Sequence, residues 1–428
     1  MNISGILEEL KYCTCGREHL VGDILVKIGP GLLAETVEIL KNGGISNKLL
    51  VVADKNTLAA ADGITDILEK GGYICKLKLY EDLRVADMLQ VKELIGLSSD
   101  IEAILSVGSG SLNDICRLAS FKASKPFAIF ATAPSMDGFA ANSAPITEDN
   151  FKKSFLCHAP KVIIGDTEIL ACAPQVLKSA GFSDMIAKYI ALVDWKIAHL
   201  TVNEYFCPKI AGLTKAALDK TMALADEICS ENTDAAAALM EGLVLSGLAM
   251  TLANATRPAS GAEHIISHFW EIKKMEQGKM SDYHGRKVGV ATLLTARLYH
   301  DIVRMKPNFG KDSTDWDLVF DAYGVNFAEE VKGYNNPAIT DEISPDDLAG
   351  KWHKICEFVT EGLPAYEDLM DLMKRAGAAA SLSEIQIEPA LALDGLKYHP
   401  YMRRRINLTR LIPMLGVDVD YDKYITAL

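Results

Sequence analysis

No stretch of this 428-residue sequence reaches eighteen uninterrupted apolar residues, roughly what a helix needs to cross a bilayer. Positive charge is also in short supply. Forty-four Lys and Arg stand against 57 Asp and Glu, a net charge of -13, whereas binding nucleic acid requires a concentrated basic face to neutralise phosphates. Neither a nucleic acid nor a membrane is therefore expected as a partner. Cysteine is sparse: nine residues, scattered and odd in number, form no disulfide framework and suit a reducing compartment. The opening MNISGILEELKYCTCG carries glutamates where a secretory signal would carry basic residues and then an apolar run. A cytoplasmic protein is the expectation. Internal repeats and low-complexity tracts are absent as well. What is present is a composition 49% apolar and 24% charged, which at this length buries a large core and favours two domains over one.

The apolar pattern changes character near residue 165. Before it, β-branched and aliphatic runs alternate with helical spacing: KLLVVAD at 48–54, a helix from Ala59 to Lys70, YICKLKL at 73–79, a helix around 85–97, EAILSVGSG at 102–110, a helix near 112–123, and PFAIFATAPS at 126–135. Such alternation predicts a parallel sheet covered by helices. After it the strand signal fades, and segments 174–203, 209–229, 233–253, 259–276 and 284–304 show helical spacing rich in Ala, Leu and Met. The expectation is an α/β N-terminal domain with a parallel sheet over 1–165, then an all-α C-terminal domain over 166–428. Residues 324–350, acidic and broken by Gly, Asn and Pro, read as a surface excursion.

Two loops that follow predicted strands carry candidate chemistry. In SVGSGSLND, Gly108 and Gly110 lack a β-carbon, so backbone N–H groups can approach a pyrophosphate, and the helix starting there directs its positive end at it. Ser109 and Ser111 add hydroxyls. The motif is not GxGxxG, and a simple tight turn is the competing reading. Asp54 ends the first predicted strand, where a carboxylate can accept from ribose hydroxyls. It precedes the glycine loop instead of following it, so the ordinary dinucleotide fingerprint does not apply, and a helix cap in ADKNT is an equal alternative. In ATAPSMDG, Thr132 and Ser135 could bond a cofactor phosphate or nicotinamide, and Asp137 lies where a strand's carboxyl end meets a crevice. A Pro-containing turn held by polar side chains is the plain alternative there.

The second half supplies metal-ligand residue types. GAEHIISHFWE places His264 and His268 four apart, on one helix face. His284 opens the next helical segment in SDYHGRKVGVATLL, and Asp184 sits among apolar Met185, Ile186 and Ile190 in KSAGFSDMIAKYIALVDW. One carboxylate with neutral imidazoles suits a divalent transition metal that keeps an open position. A satisfied or solvent-facing His pair, with Asp184 a cap or the i+4 partner of Lys188, is the other reading of these spacings.

Taken in order, GSGSLND, TAPSMDG, GFSDMIAKY, RPASGAEHIISH and YHGRKVGVA resemble the sn-glycerol-1-phosphate dehydrogenase family, in the superfamily of iron-containing alcohol dehydrogenases, glycerol dehydrogenase and dehydroquinate synthase. The resemblance covers residues 20–300 and is looser toward the C-terminus. It implies a dinucleotide-binding domain, a helical domain, and an active site in the cleft between them. By the family pattern Asp184, His264 and His284 hold one divalent metal, zinc first with nickel or iron as alternatives. Asp137, Asp184 and His268 match substrate positions, with Asp137 and His268 the catalytic pair. Gly108, Ser109, Gly110, Ser111 and Leu112 match one cofactor loop, and Thr132, Ala133, Pro134 and Ser135 the other, for NAD or NADP; Asp54 joins them from its strand end. The family usually has a cofactor-contacting serine where this chain has Ala141, with Ser143 nearby, so that contact is not carried over.

The implied reaction interconverts dihydroxyacetone phosphate and sn-glycerol 1-phosphate, in a homodimer. Glycerol dehydrogenase or another metal-dependent alcohol dehydrogenase, a dehydroquinate synthase-like lyase and an NAD-binding regulator are the alternatives. Arg257, Arg286 and Lys287 are candidates for the substrate phosphate by sequence proximity alone. CTCGREH, with Cys13, Cys15 and His19, resembles a stretch of bacterial family members. The sequence shows no fourth ligand for these three and no CxxC spacing, so a structural or incidental role is expected. Arg403, Arg404 and Arg405 have no assigned role.

Overall fold

A computed structural model of the chain describes residues 3–148 and 151–426. The chain divides into two compact units, Met1–Met185 with Gly212–Ala255, and Ile186–Ala211 with Thr256–Leu428. The expected order of an α/β region followed by a helical one holds.

The first unit carries eight strands among its described residues: β1 (Leu25–Gly29), β2 (Lys48–Asp54), β3 (Ile74–Tyr80), β4 (Ala103–Gly108), β5 (Phe127–Ala131), β6 (Ser143–Glu148), β7 (Phe151–Leu156) and β8 (Val162–Asp166). Six form a parallel sheet in the order β1-β8-β5-β4-β2-β3, while β6 and β7 pair as an antiparallel hairpin. KLLVVAD is buried from Leu49 to Asp54, because a parallel strand covered on both faces reads as one apolar run. β3 lies at the sheet edge, and its Lys76 and Lys78 discourage further pairing there. Strand order sets where a ligand can enter. β2 leads outward to β3, whereas β4 leads the opposite way to β5 and β8, so the carboxyl ends of β2 and β4 flank the topological switch point, the usual crevice of an open α/β sheet.

A single cut between 165 and 166 does not reproduce the two units, and the reason is helix Thr233–Ala253. It is long and apolar enough to cross a membrane, yet it is mostly buried, packing against β1 and against helix Thr167–Ala171. Its burial removes Leu239, Leu243, Val244, Leu248 and Leu252 from water, roughly 1.5–3 kcal/mol for each. Asn232 starts it by accepting from the N–H groups of Asp234 and Ala235, worth about 1 kcal/mol. These segments after 165 therefore belong with the sheet.

The second unit contains no strand among its described residues. Helices Lys188–Val202, Ala262–Glu276, His284–Ile302 and Pro345–Gly362 pack around fully buried Trp195, Trp270 and Tyr299. Residues 324–350 are not the expected surface excursion. They form helix Ala328–Asn335, a short 3-10 turn Ile339–Glu342 and the start of the Pro345 helix, and they bury Val331, Ile339, Ile343 and Leu348. Asp312 anchors the turn by accepting from Thr340 Oγ1 while it pairs with buried Arg410. The acidic composition had masked a thin apolar pattern.

Candidate active site

β4 ends at Gly108, Ser109 takes the N-cap position with extended backbone, and helix Gly110–Lys122 begins. The N–H groups of such a first turn have no partner inside their own helix, and a β-carbon on Gly110 would meet nothing nearer than Met136 Cγ at 4.0 Å. Ser109, Gly110 and Ser111 are partly exposed. Leu112 is not: its side chain is 2% exposed and folds back so that a β-carbon on Gly108 would stand 2.4 Å from its Cδ1. It can meet a ligand only through its backbone. Ser111 Oγ donates to Arg84 O at 2.9 Å.

Asp54 caps helix Lys55–Ala60, accepting from Thr57 N at 2.8 Å in a reciprocal capping box. Its other oxygen accepts from Leu83 N at 3.4 Å. The cap reading is thus realised. Topology also explains why the acid can precede the glycine loop: β2 and β4 are neighbours with Val52 beside Ser106, which brings Asp54 level with Gly108.

The loop after β5 is held from three sides within the first unit. Thr132 N donates to Gly108 O at 3.2 Å, tying the two loops together. Arg117, fully buried on the Gly110–Lys122 helix, donates to the carbonyls of Gly138 at 2.5 Å, Phe139 at 3.1 Å and Ser143 at 2.9 Å. Its neighbour Asp114 is pushed up to about 7 by burial, partly offset by Arg117 itself. On the second side, Thr251 and Ser246 of helix Thr233–Ala253 bond Ala140 O and Asp137 Oδ2, each at 3.0 Å, and a β-carbon on Gly247 would stand 2.6 Å from Asp137 O. The third side is helix Gln175–Ile186. Gly181 packs so closely that a β-carbon there would lie 1.9 Å from Pro134 O, and fully buried Asp184 accepts from Asp137 N through Oδ2 at 3.0 Å. Thr132, Ala133, Pro134, Ser135 and Asp137 are all buried in this frame. Arg117, Gly181, Ser246 and Gly247 were not read from the sequence, since nothing in their spacing marks them.

Gly181→Ala is accordingly expected to push the loop or its helix aside. A displacement of about 1 Å can cost roughly 10²-fold in turnover, so kcat/KM should fall on that order, while Gly212→Ala, which has nothing within 4 Å of the added carbon, should leave it unchanged. Equal kinetics for both variants would show that the close packing does not position the loop.

In the second unit the three histidines gather. Ring centroids of His264 and His284 lie 5.3 Å apart, those of His268 and His284 are stacked at 5.7 Å, and those of His264 and His268 are 6.5 Å apart. Fully buried Glu263 stands 2.7 Å from His264 Nδ1 through Oε1, which also accepts from Gly261 N. A carboxylate on Nδ1 makes that nitrogen the proton carrier and leaves Nε2 as the lone-pair donor, the way metal-ligating imidazoles are commonly oriented. Beneath it, Asp194 accepts from Ala262 N at 2.9 Å and from Tyr299 Oη at 2.7 Å, and burial followed by the Glu263 charge pushes its carboxyl up to about 7. His268 has a different companion. Glu271 Oε2 lies 3.6 Å from His268 Nδ1 and 3.5 Å from Lys287 Nζ, so it bridges the two. Glu263 and Glu271 are further residues the spacing did not reveal.

Of the phosphate candidates, Arg257 is committed elsewhere: it is buried, pairs with Glu204 through Nε and Nη2, and donates to Ile406 O at 2.8 Å. Arg286 likewise pairs with Asp282 and donates to Glu384 O. Arg404 pairs with Glu342, and Arg405 bonds Thr256 Oγ1 and Ser260 O.

Residues 27–174 match the family described as iron-containing alcohol dehydrogenase. The fold agrees: the crystal structure of glycerol dehydrogenase from Schizosaccharomyces pombe superimposes with a TM-score of 0.62 at 15% identity, covering 96% of this chain and 92% of its own. The sequence carries the comparison further. The NAD(P)+ glycerol-1-phosphate dehydrogenase of Halalkalibacterium halodurans is 33% identical over 406 residues, 92% of this chain and 94% of that one, and its counterpart in Geobacillus thermodenitrificans is 32% identical over 356 residues, 82% of each. The chain belongs to the glycerol-1-phosphate dehydrogenase family.

Proposed function

We propose that this chain is an NAD(P)-dependent oxidoreductase that interconverts dihydroxyacetone phosphate and sn-glycerol 1-phosphate. The observation that carries this reading is its 33% identity, over 92% of its length, to an enzyme named for that activity. Asp184, His264 and His284 are the proposed metal ligands, as the family pattern implies, a donor set of one carboxylate and two imidazoles, and zinc is the proposed ion. One feature supports the set. Glu263 fixes the His264 tautomer that ligation requires. NAD(P) is proposed at the β2/β4 switch point, against the N–H groups of residues 109–112 and the Thr132–Ser135 loop, with Asp54 on the ribose side.

Bound there, a divalent cation and a reduced nicotinamide supply positive charge at the carbonyl oxygen and a hydride, respectively. The chain supplies the rest. Asp137, held at its N–H by Asp184 and at its carboxylate by Ser246, would accept from a substrate hydroxyl and so fix the ketone's orientation. His268, backed by Glu271, would deliver a proton to the oxygen in reduction and remove it in oxidation. Lys287 is buried, pairs with the same Glu271 and donates to Ser281 Oγ at 2.9 Å, so it is committed as Arg257 and Arg286 are, and no residue is proposed for the substrate phosphate. Its partners are then small molecules rather than nucleic acid or membrane, and a cytoplasmic homodimer is part of the proposal.

The test is selectivity for the phosphate. Reduction of dihydroxyacetone phosphate should show a far higher kcat/KM than reduction of dihydroxyacetone with the same coenzyme. Equal values would remove the phosphate from the reading and leave a simple polyol dehydrogenase.

A further inference from the structure

Helix Ala262–Glu276, which carries His264 and His268, starts at Gly261 with no side-chain cap of its own. A helix start leaves N–H groups that need an acceptor from elsewhere. Two carboxylates fill that need. Glu263 Oε1 accepts from Gly261 N at 2.8 Å, and Asp194 Oδ2, reaching across from helix Lys188–Val202, accepts from Ala262 N at 2.9 Å. The approach is so close that a β-carbon on Gly261 would stand 2.7 Å from Asp194 Oδ2, 2.7 Å from Glu263 Oε2 and 3.0 Å from Ala191 Cα. Negative charge at this end of a helix is also favoured by the helix dipole.

The other oxygen of Asp194 holds two further elements. Oδ1 accepts from Tyr299 Oη at 2.7 Å and from Leu408 N at 3.2 Å. Tyr299 is fully buried on helix His284–Ile302, which His284 opens, and Leu408 opens helix Leu408–Leu415. One fully buried carboxylate therefore joins its own helix to both helices that carry the histidines, all within the second unit.

We propose that Asp194 is a positioning residue for the histidine cluster: it fixes the first turn of helix Ala262–Glu276 against helix His284–Ile302 and so sets where His264 and His268 stand relative to His284. Fully buried, it acts through the backbone of Ala262 and the hydroxyl of Tyr299. This role rests on the reading of His264 and His284 as metal ligands, and it needs both carboxylate oxygens as acceptors. An amide has one acceptor oxygen and presents an NH2 group on the other side, so Asp194→Asn keeps the volume and must lose one of the two contacts.

Competition between the full-length protein and a zinc chelator of known affinity reads the effect on the zinc equivalent that His264→Ala lacks, with circular dichroism to confirm folding. Asp194→Asn should bind that zinc about 10- to 100-fold more weakly than wild type, the usual worth of groups that orient metal-ligating histidines. Tyr299→Phe, which removes the hydroxyl alone, should weaken it less. Tyr323→Phe is the comparison for plain stability: Tyr323 is also fully buried in this unit, and its Oη donates to Tyr398 O at 2.8 Å. That variant should lower Tm without changing zinc affinity. Wild-type affinity in both Asp194→Asn and Tyr299→Phe would overturn the proposal, as would an equal loss in Tyr323→Phe. If Asp194→Asn does not fold, Tyr299→Phe against Tyr323→Phe decides. Zinc binding unaffected by His264→Ala would instead remove the metal-ligand reading itself, and the role of Asp194 with it.

Discussion

His264→Ala and His284→Ala are each expected to purify without the active-site metal and to lose turnover on the order of 10³-fold or more. The size follows from what the ion contributes: several kcal/mol of charge stabilisation at the carbonyl oxygen, with about 1.4 kcal/mol for each factor of ten in rate. His264 is held by Glu263 at 2.7 Å, so removing its ring leaves a fully buried carboxylate with the Gly261 N–H but without its imidazole partner, and that variant should be the less stable of the two. The overall fold should survive, because the core of the first unit is a sheet packed by Leu49, Val51, Leu105, Phe130 and Ile164, and two or three side chains around a catalytic ion are not what a chain of this size folds on. Elemental analysis beside circular dichroism reads both parts. Stoichiometric retention of the metal in either variant would show that another residue is the ligand.

The second large effect concerns His268, on the same helix as His264 but backed by Glu271. His268→Ala should keep the active-site metal and still lose about 10²- to 10⁴-fold in kcat/KM, the usual worth of a positioned acid-base group. If it purifies without the active-site metal, the i, i+4 histidine pair is itself the chelate. If it keeps both the metal and wild-type kinetics, the proton reaches the substrate oxygen by another route and His268 only packs against His284.

Sequence patterns expose some of this architecture and conceal the rest for identifiable reasons. β2 and β4 are legible because covered parallel strands are continuous apolar runs. β1, LVKIG, is interrupted by Lys27, and β8, VIIGD, offers only three apolar residues in a row, whereas β5, of the same five-residue length, is apolar throughout. Helix Thr233–Ala253 is apolar all round, so its spacing fixes its length but not which unit buries it. The helix predicted from Ala59 to Lys70 is two helices, Lys55–Ala60 and Ile64–Lys70, because Gly63 at φ +81° breaks it. Among the site residues, the histidines and Asp184 became meaningful only through the resemblance of five motifs in order. Leu112 was expected among the cofactor residues by that resemblance, and its buried side chain restricts it to a backbone role. Arg117 reads as a surface residue in its polar-looking helix, and only three converging carbonyls reveal why it is buried. Gly181 and Gly247 are silent in a single sequence, since the need for a missing β-carbon is a property of the neighbour that approaches.

The measurement that bears most directly on the central claim is the configuration of the glycerol phosphate formed from dihydroxyacetone phosphate by the metal-loaded protein with NADH or NADPH. The proposed reaction forms one enantiomer, the sn-1-phosphate, which an sn-glycerol-3-phosphate dehydrogenase will not oxidise. A product that such an enzyme oxidises completely, or no coenzyme oxidation with dihydroxyacetone phosphate while unphosphorylated dihydroxyacetone is turned over, would contradict the account.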